Sequence, residues 1–173
     1  EWIERPNPET LLNSNIFFDL DGIYGETDFA EQLKTLIVEK AGGSQRFLTF
    51  LARNALNRTP PLGFFRTFVL EEDGKHQKTF NLKRRGTAPL SDLIRVHALD
   101  DASNLRDALE FISIVRIRHQ ALAIEEGREP DNNVRPEDLS PFERSHLKDA
   151  FQVVSNAQKF LRFRYNAGAT RNV

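Results

Sequence analysis

The sequence predicts a mainly all-α fold, a bundle of about five helices with a short β-hairpin and an N-terminal strand-like segment. Three observations predict it. Apolar residues recur at helical spacing through most of the chain. The periodic stretches are bounded by residues that stop or start helices, such as Gly42-Gly43, Pro60-Pro61 and Ser140-Pro141. One favourable hairpin dipeptide, Asp73-Gly74, lies between two strand-like runs.

Taken in order, residues 1–14 are polar and contain proline, and read as an incoming linker; residues 15–173 read as one helical domain. NIFFDLDGIYG, from Asn15 to Gly25, is short, aromatic and apolar, has acids at alternate positions Asp19 and Asp21, and predicts a strand. Phe29, Leu33, Leu36 and Ile37 then follow helical spacing until Gly42-Gly43. Ser44 is placed to cap the next helix, whose inner face carries Phe47, Leu48, Leu51 and Ala55. The hairpin is predicted over about residues 64–83, Gly86 to Pro89 as a loop, and PLSDLIRVHAL as another helix. Asn104 to Glu126 is the clearest helix, with Leu105, Ala108, Leu109, Ile112, Val115, His119 and Leu122 in one stripe. After the loop GREPDNNVRPEDL, Ser140, Pro141 and Glu143 supply an N-cap, a first-turn proline and a capping-box acid. The last helix runs to about Tyr165 with Leu147, Ala150, Phe151, Val154, Ala157 and Leu161 inward. Short links between such helices make a bundle.

Composition narrows the function. The 173 residues suffice for one domain with a real core. A formal net charge of −1 supplies no bulk attraction for nucleic acid or an anionic membrane, so neither is an expected partner. With no cysteine there are no disulfides, thiolate nucleophiles or sulfur-built zinc sites. No signal-peptide pattern and no apolar run near 20 residues occur, which predicts a cytoplasmic protein. The chain opens on Glu1-Trp2 rather than Met and reads as part of a longer polypeptide. No nucleophile elbow, Walker loop, metal-binding histidine pair or dinucleotide fingerprint is present, so a complete active site is not expected here.

Three constellations could carry chemistry. KHQKTFNLKRR, from Lys75 to Arg85, holds five formal positive charges and no acid, then runs into Gly86. A basic loop before a helix offers cations and free backbone N–H groups to a phosphate; a solvated charged face is the plainer alternative. The second is VRIRHQALAIEEGREPDNN, from Val115 to Asn133, where Arg116 and His119 share a helix face and Arg128 and Asp131 follow a glycine. His119 alone fits a hydrogen-bonded boundary residue. Arg116 cannot shed its charge on burial, so it needs an anion: Asp131, Glu110, another internal acid, or a ligand phosphate. The third is Asp19 and Asp21, which would point the same way on a strand and could share a divalent cation, unless Asp21 simply opens a turn with Gly22.

NIFFDLDGIYGE, FLARNAL, PPLGFFRTFVLE, TFNLKRRGTAPLSDLIRVHAL, RIRHQ, GREPDNN and LSPFERSHLKDAF together resemble the putative nucleotidyltransferase substrate-binding domain, from Asn13 to Tyr165. A more distant similarity is to the helical region of PII uridylyltransferases, carried by Lys83, Gly86, Leu90 and Asp92 and by Arg116, His119, Gly127, Arg128 and Asp131. The resemblance implies the C-terminal helical module of a bacterial signalling protein that also carries cyclic-nucleotide-binding, CBS and nucleotidyltransferase domains. It implies Mg²⁺ held by carboxylates in the upstream catalytic domain, and no cofactor in this piece. Lys83, Arg84, Arg116, His119, Arg128 and Asp131 become the expected phosphate- or substrate-binding residues, Asp19 the expected metal-facing acid. No catalytic residue is expected here: the module would position and stabilise, not make bonds.

Two departures stand out. Asp21 occupies a position where the family usually has Arg, so no arginine role carries over. The family also has a longer, partly helical connection where Asp100 to Ser103 stand, so residues are expected to be absent between Ala98 and Asn104; a Cα spacing of about 3.8 Å at every step would refute this. Two rival functions stay open. One is a non-catalytic bundle relaying CBS or cyclic-nucleotide state to a partner. The other is nucleic-acid binding through the basic hairpin with Phe64, Phe65, Phe68 and Phe80, which net charge disfavours; those phenylalanines read more simply as hydrophobic anchors for the hairpin.

Overall fold

The computed structural model describes residues 2–7, 10–11, 14, 16–73, 76–97 and 103–165. Among them, five α-helices carry the fold: α1 (Asp28–Gly42), α2 (Gln45–Leu56), α3 (Ala88–His97), α4 (Ser103–Glu125) and α5 (Pro141–Tyr165). A small antiparallel sheet of β1 (Glu71–Asp73), β2 (His76–Asn81) and β3 (Asn133–Val134), in that order, lies against the bundle. The fold is therefore mainly all-α, as the periodicity predicts.

Local chemistry fixes the helix starts. Ser44 Oγ accepts the Phe47 N–H at 3.3 Å and opens α2. At α5, Ser140 Oγ accepts the Glu143 N–H at 3.2 Å while Glu143 Oε2 accepts the Ser140 N–H at 2.9 Å, a complete capping box around Pro141. The inward stripes then interlock: α4 packs on α5, and α2 and α3 close over them. Phe47, Leu90, Leu93, Ile112, Leu147, Phe151 and Leu161 are all at 0 % exposure. At about 1.5–3 kcal/mol for each such side chain, this burial is the main stabilising term. Gln158 shares the core at 1 % exposure and donates Nε2 to the Ala55 and Arg58 carbonyls at 3.0 and 2.6 Å. It thereby satisfies carbonyls that the end of α2 leaves open.

The sheet is anchored by Phe80, stacked on Phe68 at 4.8 Å and edge-on to Phe151 at 6.0 Å. The hairpin strands are shorter than the predicted 64–83, and Gly74 and Lys75 of the expected turn lie outside the described residues. Phe64 and Phe65 are not anchors of that hairpin: they stand 96 % and 83 % exposed on a separate turn. β3, a two-residue strand inside the GREPDNNVRPEDL loop, has too little pattern to be read from sequence.

Other expectations are corrected. The N-terminal strand is a 3₁₀ turn over Ile16–Asp19. A lone strand needs a partner, and the sheet is built elsewhere; Phe17 and Phe18 instead pack on Trp2 and Phe47. The expected linker is partly packed, with Leu11 and Ser14 each 5 % exposed. The α1 stripe is helical, but Phe29 and Leu36 lie exposed rather than inward. The connection between Ala98 and Ala102, with the absence expected there, lies outside the described residues.

The Gly86–Pro89 loop is also helix. Lys83–Thr87 forms one wide π turn that runs straight into α3. In a regular helix Pro89 would clash with the carbonyl four residues back, and the wider turn ahead of it relieves that clash. Gly86 makes the turn fit: a Cβ there would stand 2.8 Å from Ile112 Cγ2 and 3.3 Å from Phe151 Cε1, both fully buried side chains. Gly86→Ala is therefore expected to lower stability by about 1–3 kcal/mol, read as a lower denaturant midpoint at unchanged m-value.

Candidate functional site

Because the Lys83–Thr87 turn is held against α4 by Gly86, its polar atoms meet the middle of that helix. Arg116 lies there. Its Nη1 donates to Thr87 Oγ1 at 3.4 Å, and its Nε is buried with no hydrogen-bond partner among the described residues. No carboxylate among the described residues forms an ion pair with it, neither Asp131 nor Glu110. One helical turn on, Gln120 Nε2 donates to Asn132 Oδ1 at 3.3 Å, and the Asn132 carbonyl accepts the Leu82 N–H at 2.8 Å. The floor of this polar face is thus stitched from α4, the end of β2 and the loop before β3. Lys83 is exposed at the start of the same turn.

The neighbouring cations are committed internally. Arg84 and Arg85 both bind the Glu71 carboxylate, Arg85 Nε reaching Oε1 at 2.6 Å. Burial pushes the Glu71 carboxyl up, but hydrogen bonds from Arg85 and Arg84 and their charges outweigh it and hold it below the usual carboxylate range. Nor does the turn present the free amides expected of a basic loop. Its residues are helical, and the Arg84 N–H is taken by Asn81 Oδ1 at 2.8 Å.

His119 and Arg128 open elsewhere, into a pocket of about 260 Å³ between α4, the β3 loop and the start of α5. Val115, Leu122, Val134 and Leu139 form its apolar wall. Each arginine on its rim has its own carboxylate: Arg118 with Glu143, Arg128 with Glu126 at 2.9 Å, and Arg135 with Asp138 through two 2.9 Å contacts. His119 Nε2 stands 3.5 Å from Asp131 Oδ1, and that oxygen also accepts the Asn133 N–H at 2.8 Å. Burial raises the Glu143 carboxyl, but the Ser140 backbone and side-chain hydrogen bonds and Arg118 bring it below its ordinary value.

The six expected residues therefore divide. Lys83, Arg84 and Arg116 gather at the π turn, while His119, Arg128 and Asp131 belong to the pocket side. Arg118, Arg135, Glu126 and Asp138 on the pocket rim, and Thr87 and Gln120 at the turn, were not singled out as site residues. The Arg-Pro-Glu-Asp run (Arg135 to Asp138) was the one available signal, an Arg and an acid three apart. Asp19 closes the 3₁₀ turn, so the alternating strand geometry behind a shared cation is absent, and its side chain lies outside what is described. Asp21 instead accepts the Gly22 N–H at 3.0 Å and sits 3.5 Å from Lys34. Among the described residues no three of His, Asp and Glu come together as metal ligands would.

The comparisons bear on this arrangement. The family described as "Putative nucleotidyltransferase substrate binding domain" matches residues 45–102 and 99–165, well over half the chain. The chain belongs to that family. Its matched span begins at α2 and takes in the π turn, α4, the β3 loop and α5, so both halves of the candidate site are family structure. The two matched stretches overlap at residues 99–102. No curated protein and no solved structure matches the chain. No helix among the described residues is long and apolar enough to cross a membrane.

Both depressed carboxylates link stability to acid. A carboxyl whose folded value lies below its unfolded one stabilises above the unfolded value and loses that contribution as pH falls through the folded value. Stability should therefore be flat above about pH 5 and fall below about pH 4. Glu71→Gln and Glu143→Gln should each be less stable at neutral pH and show a shallower acid limb in denaturation measured across that range.

Proposed function

We propose that this domain receives an anion, the phosphates of a nucleotide or an acidic acceptor, for a nucleotidyltransferase whose chemistry lies in an upstream domain of the same polypeptide. Arg116 carries the reading. It is a permanently charged, partly buried guanidinium with a buried Nε that no described residue accepts. An unmet buried donor costs about 1–3 kcal/mol. A ligand oxyanion meeting the exposed part of that guanidinium would offset part of the cost of burying its charge, with Thr87 Oγ1, which Nη1 already contacts, beside it and Lys83 exposed at the start of the same turn. The domain would contribute position and charge, and the Mg²⁺ expected for the parent would be held upstream. On this reading the CBS and cyclic-nucleotide-binding domains of the parent, a bacterial cytoplasmic signalling protein, govern when the acceptor is presented.

A second reading has its own support. Arg84, Arg118, Arg128 and Arg135 already have internal carboxylate partners. That pattern fits a bundle that relays a neighbour's state through fixed charge pairs.

Arg116→Met separates the two. If Arg116 awaits an anion, removing it weakens tripolyphosphate or ATP binding by about tenfold or more in titration calorimetry, while the unliganded chain keeps or gains up to about 2 kcal/mol of stability. A large loss of unliganded stability with unchanged binding would make Arg116 a structural residue and favour the relay.

A further inference from the structure

Two apolar features at opposite ends of α2 complement one another, and neither serves the anion site. Beyond the C-terminal end of α2 the chain folds back from Pro61 to Val69 around a tight turn. Gly63 N–H donates to the Thr67 carbonyl at 2.8 Å, and Arg66 N–H to the Gly63 carbonyl at 3.1 Å. Leu62 and Phe68 bridge below the turn. Arg66 adopts a left-handed φ of 55° and is tied to Asp149 on α5. This bracing holds Phe64 and Phe65 out in solvent, edge to face at 5.1 Å. Leaving two phenylalanines unburied forgoes roughly 1.5–3 kcal/mol each, a cost that a built tip implies is met elsewhere.

At the N-terminal end of α2 lies a cavity of about 480 Å³ walled by Trp2, Ile3, Phe17, Phe18, Leu33 and Ile37. Ser44 Oγ, donating to the Ile3 carbonyl at 3.1 Å, and the Phe18–Phe47 stack at 6.1 Å fix the N-terminal segment at that end of the helix. An apolar cavity of about 150 Å³ takes a benzene ring, so this one has room for both rings of the tip. The tip of one chain cannot enter its own cavity, because α2 separates them.

We propose that the occupant is a second copy of this chain, with the Phe64-Phe65 tip of each protomer seated in the Trp2–Phe17–Leu33 cavity of its partner. Area argues for two reciprocal contacts. Two phenylalanines bury roughly 300–500 Å², and the wall they cover about as much again. One contact then falls short of a standard interface, and two related by a two-fold axis reach the roughly 1,200–2,000 Å² such interfaces bury. Charge does not oppose the approach. The tip carries the Arg66–Asp149 pair and the cavity rim the Glu4–Lys40 pair, at 3.6 Å, so each side offers one cation and one acid.

Sedimentation equilibrium of the whole chain is the test, with circular dichroism confirming that every variant is folded. The wild-type chain should dimerise. Phe64→Ser/Phe65→Ser, which removes the tip, and Leu33→Arg, which blocks the cavity at a residue 39 % exposed, should each weaken the dimer by about tenfold or more. An equimolar mixture of the two variants should regain association that neither shows alone, weaker than wild type because one of two contacts is restored. A monomeric wild-type chain, a dimer indifferent to either variant, or a mixture no better than its components would each overturn the pairing.

Discussion

The close approach of Gly86 to Ile112 and Phe151 is the constraint on which the rest of the domain depends. It allows a helical turn rich in cations to lie directly on the core pair α4 and α5. Nothing larger than hydrogen fits, so the turn has no freedom to stand off. The consequence runs in both directions. Toward the core, the contact sets the turn against Ile112 and Phe151, both at 0 % exposure. Toward the surface, it brings Thr87 to Arg116, two residues 29 apart in the chain.

Once that turn is seated, carboxylates decide what its cations can do. Glu71 at the edge of the sheet takes Arg84 and Arg85 together, and their three charge-assisted hydrogen bonds outweigh the burial that would raise its pKa. Glu143 is used twice, once to cap α5 and once to hold Arg118. Fold and charge are coupled at these two acids: a change in either would move a helix start or a strand edge as well as an arginine. Arg116 is different in kind. It is half-buried on α4 against the turn, and its Nε meets no acceptor among the described residues.

Periodicity and caps made most of the fold legible. Ser44, Pro141 and Glu143 mark helix starts within a residue, and the stripes of the last two helices name most of their buried side chains, because burial of one face is what produces a 3.6-residue repeat. Toward the end of α4 the stripe slips, and Ala123 is buried where the spacing places Leu122, which is 43 % exposed. What failed had a common cause. Asn15–Gly25 reads as a strand because aromatic, apolar stretches suit a sheet, but pairing is a tertiary matter, and among the described residues the sheet is built from other segments. Gly86 and Pro89 looked like a loop because each breaks an ideal helix, and only the contact with Ile112 shows why a distorted helix uses both. At the candidate site the residue types were readable and their grouping was not. Arg116 and His119 share a face in sequence terms, yet one meets Thr87 and the other Asp131. Which of two neighbours a helix face touches is decided by the loops that cross it, and those carry no periodic signal.

That division has a physical logic. One side holds a guanidinium with no carboxylate partner among the described residues, the other a rim of compensated charge pairs. Here α4 presents them on adjacent sides. Arg116 and the π turn lie toward the sheet, and His119, Arg128 and the Val115–Leu122 wall toward the start of α5. His119, with Asp131 beside it, stands one turn from Arg116. The two sides of α4 thus differ in charge compensation, and the Gly86 contact holds one of them against the π turn.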